Sequence, residues 1–285
     1  MVSIVRVLAI FAVAAAVVGG VAGSGMNTPR VSRVLPNSIE FSNETTGIAS
    51  FWYGCADYDC WEVVGRTTDG GHTWTIEPRL RAVEERPIVD VVNPHVAFTW
   101  EYSEKGSRLL RSNDAGTSWV KQTNPCPRSE WIHTSFVSPA RGWMLCRITI
   151  GVGTQGDQVQ ATFETRDAAR TWHRVGGMPP ILSGIELVPG AVWAWASLDG
   201  AWDGRIFESA LGRLAWRRVG FDTFDEAKSE TIGLESFDAV SADIAYALVR
   251  RESERLHRFE LRRTTTRGRS WTTVHKWSFA WAYSP

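Results

Sequence analysis

The chain has no net charge to recruit a partner. Its 31 basic and 31 acidic side chains cancel over 285 residues, so overall charge draws it to neither nucleic acid nor an anionic membrane. It has no Walker loop, no His-Glu-x-x-His, no Gly-x-Ser-x-Gly and no dinucleotide fingerprint, and so no cofactor is indicated. After the first residues it has no helical apolar stripe of useful length, which speaks for an all-β fold. Cysteine is limited to four. Cys55 and Cys60 form a Cys-x4-Cys pair without an accompanying Cys-x2-Cys or His pair, so metal binding is the weaker reading and no metal is expected.

What is present is enough for a core: 44% of residues are hydrophobic and 22% charged, a balance outside the disordered range. Arg6 precedes an apolar run from Val7 to Val18, and small residues continue through Gly25. This is the layout of a secretory signal over residues 1–23, cleaved after Gly23. The alternative is an uncleaved anchor, because the apolar stretch reaches about 17 residues, the lower edge for a membrane span. On either reading the rest of the chain is exported, secreted or held at the cell envelope, and faces an oxidising compartment. Residues 24–37 read as an N-terminal segment and 38–285 as the folded body. An even cysteine count then favours disulfides; of the three pairings that four cysteines allow, we favour Cys55 with Cys60 and Cys126 with Cys146.

An eight-residue unit recurs. Residues 67–74 read TTDGGHTW and residues 112–119 SNDAGTSW, both with a hydroxyl residue, Asp, Gly, a second hydroxyl residue and Trp at fixed offsets. TRDAARTW (165–172) lacks the glycine, TTTRGRSW (264–271) lacks the acid, and SALGRLAW (209–216) keeps little beyond the first Ser and last Trp. Upstream of each octet lie two apolar residues seven apart: Phe41 and Ile48, Val91 and Phe98, Phe136 and Trp143, Ile185 and Val192, Phe237 and Ile244. Turn formers separate the members, so each pair is read as the two strands of a hairpin. Four short strands in up-and-down order, repeated every 44 to 55 residues, are the signature of a propeller blade. Five four-stranded blades are expected, or six if residues 26–37 and the tail 278–285 supply further strands. An end segment is expected to close the ring, since an open sheet edge invites aggregation.

Ser/Thr-x-Asp-x-Gly-x-Thr-Trp resembles the Asp-box, or BNR repeat, of sialidases, sortilin-like receptors and photosystem II assembly and stability factors. The phrase SFVSPARGWMLC (135–146) is most similar to the assembly-factor group. The octet residues Asp69, Gly71, Trp74, Asp114, Gly116, Trp119, Asp167, Trp172, Gly268 and Trp271 are read as structural. A buried carboxylate such as Asp69 accepts backbone N–H groups, Gly71 supplies a positive φ, and Trp74 covers the turn and packs between blades. His72 is matched by Thr117, Arg170 and Arg269, so the position tolerates anything and is expected to be exposed. The resemblance implies that the octet turns lie away from the ligand face.

The opposite face holds the hairpins between second and third strands. They bring forward Asp57, Tyr58, Asp59, Asp199, Trp202, Asp203, Arg251 and Glu252, with acids flanking an aromatic at two of the tips. Such groups suit sugars or peptide side chains; the bland reading is solvated hairpin tips. A sialidase needs three convergent arginines, a tyrosine with a glutamate partner and an acid/base aspartate. The Phe/Tyr-Arg-Ile-Pro signature that the resemblance would place before the first octet is absent, and only Tyr102 has a neighbouring glutamate, Glu101. The expectation is a monomeric, non-catalytic binding or assembly-assisting propeller for a protein or glycan, with a carbohydrate-binding propeller or sialidase-like glycoside hydrolase as the alternative.

Overall fold

A computed structural model describes residues 34–279, apart from 57–58, 78–88, 104–105, 115–116, 128, 130, 151–156, 180–181, 199–200, 221–223, 226–229 and 254–255. The leader, the segment up to residue 33 and the tail from 280 lie outside the described residues. Among the described residues there is no helix, and none long and apolar enough to cross a membrane.

Five antiparallel sheets make a five-blade β-propeller. Blade one holds β1 (Val34–Phe41), β2 (Gly47–Ala56), β3 (Asp59–Thr67) and β4 (Thr75–Glu77); blade two holds β5 (Val89–Val91), β6 (Ala97–Ser103), β7 (Gly106–Ser112) and β8 (Val120–Lys121). Blade three holds β9 (Trp131–Phe136), β10 (Gly142–Ile150), β11 (Asp157–Thr165) and β12 (His173–Val175); blade four holds β13 (Gly184–Val188), β14 (Ala191–Leu198), β15 (Ala201–Ala210) and β16 (Arg217–Arg218). Blade five adds a two-residue β17 (Phe224–Asp225) beside β18 (Glu230–Ala239), followed by β19 (Ala245–Ser253), β20 (Leu256–Thr264) and β21 (Thr272–Phe279). Strands adjacent in a sheet are consecutive in the chain. Among the described residues no strand is exchanged between blades, and most of the end segments expected to close the ring, 26–33 and 280–285, lie outside the described residues. Residues 34–37 belong to β1 and 278–279 to β21, and no sixth sheet forms among the described residues.

Two compact units contain these blades: one holds blades two and three and most of blade four, the other blades one and five. In the first, Phe98 of blade two stacks on Phe136 of blade three with centroids 3.6 Å apart and planes at 4°, and Trp172 meets Phe136 edge-on at 6.3 Å. In the second, Tyr246 of blade five stacks on Phe41 of blade one at 3.6 Å and 4°, and Trp74 meets Phe41 edge-on at 6.2 Å. The two recurring sequence elements, the upstream hairpin aromatic and the octet tryptophan, therefore touch. Phe136 lies over Gly142, its partner across the ladder, where a Cβ would overlap the ring; a glycine is required under that aromatic.

Backbone bonds also reach between blades. The Asp90 carboxylate accepts the Phe136 amide at 2.8 Å, Ser135 Oγ accepts the Leu187 amide at 2.9 Å, and the Asp238 carboxylate accepts the Phe41 amide at 2.8 Å. Each acceptor stands next to last in the first long strand of its blade's hairpin, one residue before the turn.

Three of the five heptad-spaced apolar pairs bracket their hairpins as expected: Phe41 pairs with Gly47 beside Ile48, and Val91 and Phe136 behave alike. The other two share the spacing without the register. Ile185 pairs with Ala194, because the turn between β13 and β14 has only two residues. Phe237 pairs with Ala247, and the residue equivalent to Ile48 is Tyr246 rather than Ile244. Apolar spacing alone is blind to turn length.

Candidate functional site

The octets are built for internal bonding. At 67–74 the Thr67 hydroxyl donates to Asp69 at 2.8 Å and accepts the Gly71 amide at 2.9 Å. The Asp69 carboxylate also takes the Thr73 amide at 2.9 Å and the Thr73 hydroxyl at 2.6 Å. Octets two and three repeat this: Asp114 takes the Ser118 amide and hydroxyl, and Asp167 those of Thr171. These donors hold the Asp114 and Asp167 carboxyls down at about 2 and Asp69 lower still, because hydrogen bonds to the charged form favour it.

Asp69 is exposed, not buried as expected. The buried member is the leading hydroxyl residue, at Thr67, Ser112, Thr165, Ser209 and Thr264 in turn. The carboxylate can sit in water because its donors come from its own turn, whereas the hydroxyl faces the sheet and has to satisfy a buried amide. In octet five Thr266 replaces the acid, and its hydroxyl accepts the Ser270 amide at 3.0 Å. In octet three Ala169 takes the left-handed backbone, at φ 65°, that Gly71 takes at 90°. His72 is exposed, as expected.

Octet turns bond to the first turn of their own blade: Gly70 N–H to the Thr45 carbonyl, Ala168 to Ala140, Leu211 to Gly190 and Arg267 to Asp243. These two sets of turns share an edge of the sheet. Octet tryptophans also clasp the connection arriving from the blade before. The Trp172 indole N–H donates to the Thr123 carbonyl at 2.9 Å and that of Trp271 to Val219 at 2.8 Å. Trp74 instead donates to Gly71 of its own turn at 3.0 Å. Trp119 is the exposed one, at 36%. Gly116 lies outside the described residues.

At the other edge, the hairpins between second and third strands close where the sequence places them, at Ala56 and Asp59, Ser103 and Gly106, and Ser253 and Leu256. Asp57, Tyr58 and Asp199 lie outside the described residues. Asp59 in β3, Trp202 and Asp203 in β15 and Glu252 in β19 are described by their strands alone. The same holds for Cys55 in β2 and Cys60 in β3, so their pairing is also outside the description. Arg251 is placed in full: its Nε lies 3.3 Å from Glu260 Oε1, while Arg262 binds Oε2 through Nε at 3.0 Å and a terminal nitrogen at 2.8 Å. Lys276 approaches Oε1 at 4.0 Å. Burial pushes the Glu260 carboxyl up, but the hydrogen bond and charge of Arg262 and the charges of Arg251 and Lys276 outweigh it and hold it below the ordinary range. These cations converge on a carboxylate of the chain itself.

Blade two carries a feature the sequence reading did not single out. An open groove of about 620 Å³ is lined by Gly106, Ser107 and Arg108 of β7, by Lys121 of β8, and by the connection from Gln122 to Pro127. Its connection wall is fixed at three points. The Asn124 amide donates to the Ser107 carbonyl at 2.9 Å and its oxygen accepts the Cys126 amide at 2.8 Å. Thr123 bonds the Arg170 carbonyl at 2.8 Å. Cys126 is joined to Cys146 of β10 in a disulfide, the pairing expected from the sequence, and both cysteines are buried. Gly106 at φ 110° leaves room for the Pro127 carbonyl oxygen, which a Cβ would overlap. No contiguous motif marks this groove, because its walls come from segments more than ten residues apart. Among the described residues no cluster of metal-ligating side chains occurs.

No protein-family model matches the chain, and no curated protein matches it. Among solved structures it is similar to a GH74 xyloglucanase from Xanthomonas campestris, at 17% identity and TM-score 0.46 over 84% of this chain and 38% of that one. It is also similar to a protein of unknown function from Dyadobacter fermentans, at 15% identity and TM-score 0.43 over 88% and 84% of the two chains. The NanB sialidase of Streptococcus pneumoniae follows at 12% identity and TM-score 0.39 over 78% and 36%. The chain thus spans little more than a third of the xyloglucanase, and its identity to each of these proteins is low.

Proposed function

We propose that the protein is a non-catalytic binding propeller, exported from the cytoplasm, that takes a protein partner on the face carrying the hairpins between second and third strands. The octets are Asp-box-type repeats on this reading, and their role is to hold turns and connections in place. The observation that carries it is an asymmetry between the two edges of the sheets. Octet carboxylates and hydroxyls are consumed by donors of their own turns, whereas the hairpin edge of blade two borders an open, pre-built groove. A preorganised surface binds with less ordering cost. The buried Cys126–Cys146 disulfide fits an oxidising compartment.

The glycosidase alternative would need arginines other than Arg251 and Arg262. Arg251 and Arg262 are spent on Glu260, whereas a sialidase pocket needs guanidinium groups aimed at a substrate carboxylate.

The test is capture from the secreted or envelope fraction with the mature chain, against a chain carrying Asp57, Asp59 and Asp203→Ala and a second carrying His72→Ala on the octet edge. A partner kept by the parent and the His72 variant but lost by the triple variant supports the reading. Turnover of sialyl or other glycoside substrates by the parent chain, abolished by changing a carboxylate, would replace it with the enzyme.

A further inference from the structure

We infer that the blade-two groove is a docking site for an extended acidic peptide segment of the partner; this rests on the binding reading above and names the chemistry of one of its contacts. The volume of about 620 Å³ falls within the range of ligand sites, roughly 300–1,000 Å³. Among the described lining side chains are two cations, Arg108 and Lys121, with amides and hydroxyls, and no carboxylate. A pocket so lined is complementary to negative charge.

The described lining residues include no aromatic ring. Sugar recognition relies on aromatic faces against the apolar side of the ring, so a peptide is the better match. The floor is backbone. Outward from β8 the ladder continues one step, with the Gln122 amide donating to the Leu109 carbonyl at 2.8 Å, and the Asn124 side chain then caps Ser107 at 2.9 Å where a further strand residue would sit. Asn124 thereby ends strand pairing and turns the edge into a wall. Recognition is assigned to charge and carboxamide contacts, and not to addition of a strand. Arg108 takes part in an interaction of its own, but a guanidinium has five N–H donors in a fork, so donors are left for a ligand. Lys121 is exposed at the lip.

The experiment titrates the full mature chain with a capped peptide bearing two glutamates, with its glutamine counterpart, and with a short oligogalacturonate, at low and at high salt. The glutamate peptide is expected to bind, to weaken roughly tenfold or more in Lys121→Glu, and to keep its affinity in Lys121→Arg. High salt weakens it as well. Lys121 is exposed on a two-residue strand, so both variants keep the fold, which the thermal midpoint checks. Equal binding of the glutamine peptide, indifference to Lys121→Glu, or tighter binding of the oligogalacturonate each overturns the assignment. A partner captured equally by the parent and by Lys121→Glu, with no peptide binding, removes the groove and leaves the hairpin-face reading standing. Loss of capture in neither the hairpin variants nor Lys121→Glu removes the wider reading.

Discussion

The Asp238 carboxylate of blade five accepts the Phe41 amide of blade one at 2.8 Å, joining residues 197 positions apart. Asp238 is buried, at 4% exposure. Asp238→Ala leaves the Phe41 N–H without its acceptor, and the expected loss is about 1–3 kcal/mol. Asp238→Asn keeps an acceptor oxygen and loses less. Urea unfolding of the three chains checks the order.

The octets predict an acid limb. Asp114 and Asp167 are lowered from 3.8 to about 2, and Asp69 further. Groups depressed by folding favour the folded chain when ionised. Their contribution is complete above about 4 and is lost as pH falls through the folded values near 2. The thermal midpoint should therefore drop between pH 4 and pH 2. In Asp167→Asn it should start lower at neutral pH and fall less steeply. A parent profile flat down to pH 2 would contradict this.

The buried hydroxyl matters more than the exposed acid. Thr165 Oγ1 accepts the Ala169 amide at 3.0 Å in a buried setting. Thr165→Val keeps the shape and strands that amide, for an expected loss of about 1–3 kcal/mol; Thr165→Ser restores most of it. Equilibrium unfolding of the two variants separates the hydroxyl from the packing.

Ala169 occupies φ 65°, a conformation that disfavours a residue with Cβ by about 1–2 kcal/mol. Ala169→Gly relieves that strain and loosens the unfolded chain, for a net gain of about 0.5 kcal/mol. The expected readout is a small rise in the thermal midpoint. The opposite sign is expected for Gly106→Ala, which meets both φ 110° and the Pro127 carbonyl.

Removing the disulfide tests the groove wall. The Cys126–Cys146 bond closes a segment with a sequence separation of 20, for which chain entropy assigns about 3 kcal/mol. The Cys126→Ala/Cys146→Ala chain should unfold correspondingly earlier. Its amides at 122, 123, 124 and 126 should exchange faster than those of β10, since the loop loses one of its three anchors.

The octets and the all-β repeat were legible because the same hydroxyl and Trp recur at fixed offsets, and the sheets depend on them directly. The hairpin pairs were legible as partners across a turn at Phe41, Val91 and Phe136; Ile185 and Val192 also lie in the two strands of a hairpin but in another register, because the turn is shorter, and Ile244 falls just before the strand that pairs with Phe237. The acceptors between blades were missed because one job is done by Asp90, Ser135 and Asp238; the chemistry recurs but the letter does not. Asp69 was taken as buried because a bonded carboxylate suggests shelter, although donors from its own turn suffice in water. Arg251 was visible as a cation on a hairpin, yet nothing local announced Glu260, nine residues on, as its partner. Of the groove only the disulfide was legible in the sequence, since Gly106 and Asn124 come together only after folding.

Because every sheet is made of neighbouring strands, the seam between blade five and blade one is the same kind of junction as that between blades two and three: a stacked aromatic pair and one carboxylate-to-amide bond. Among the described residues no strand is threaded across it. A circular permutant that links the present ends and opens the chain between two other blades would cut no hydrogen-bonded ladder, so which repeat is translated first is a matter of gene order and not of architecture.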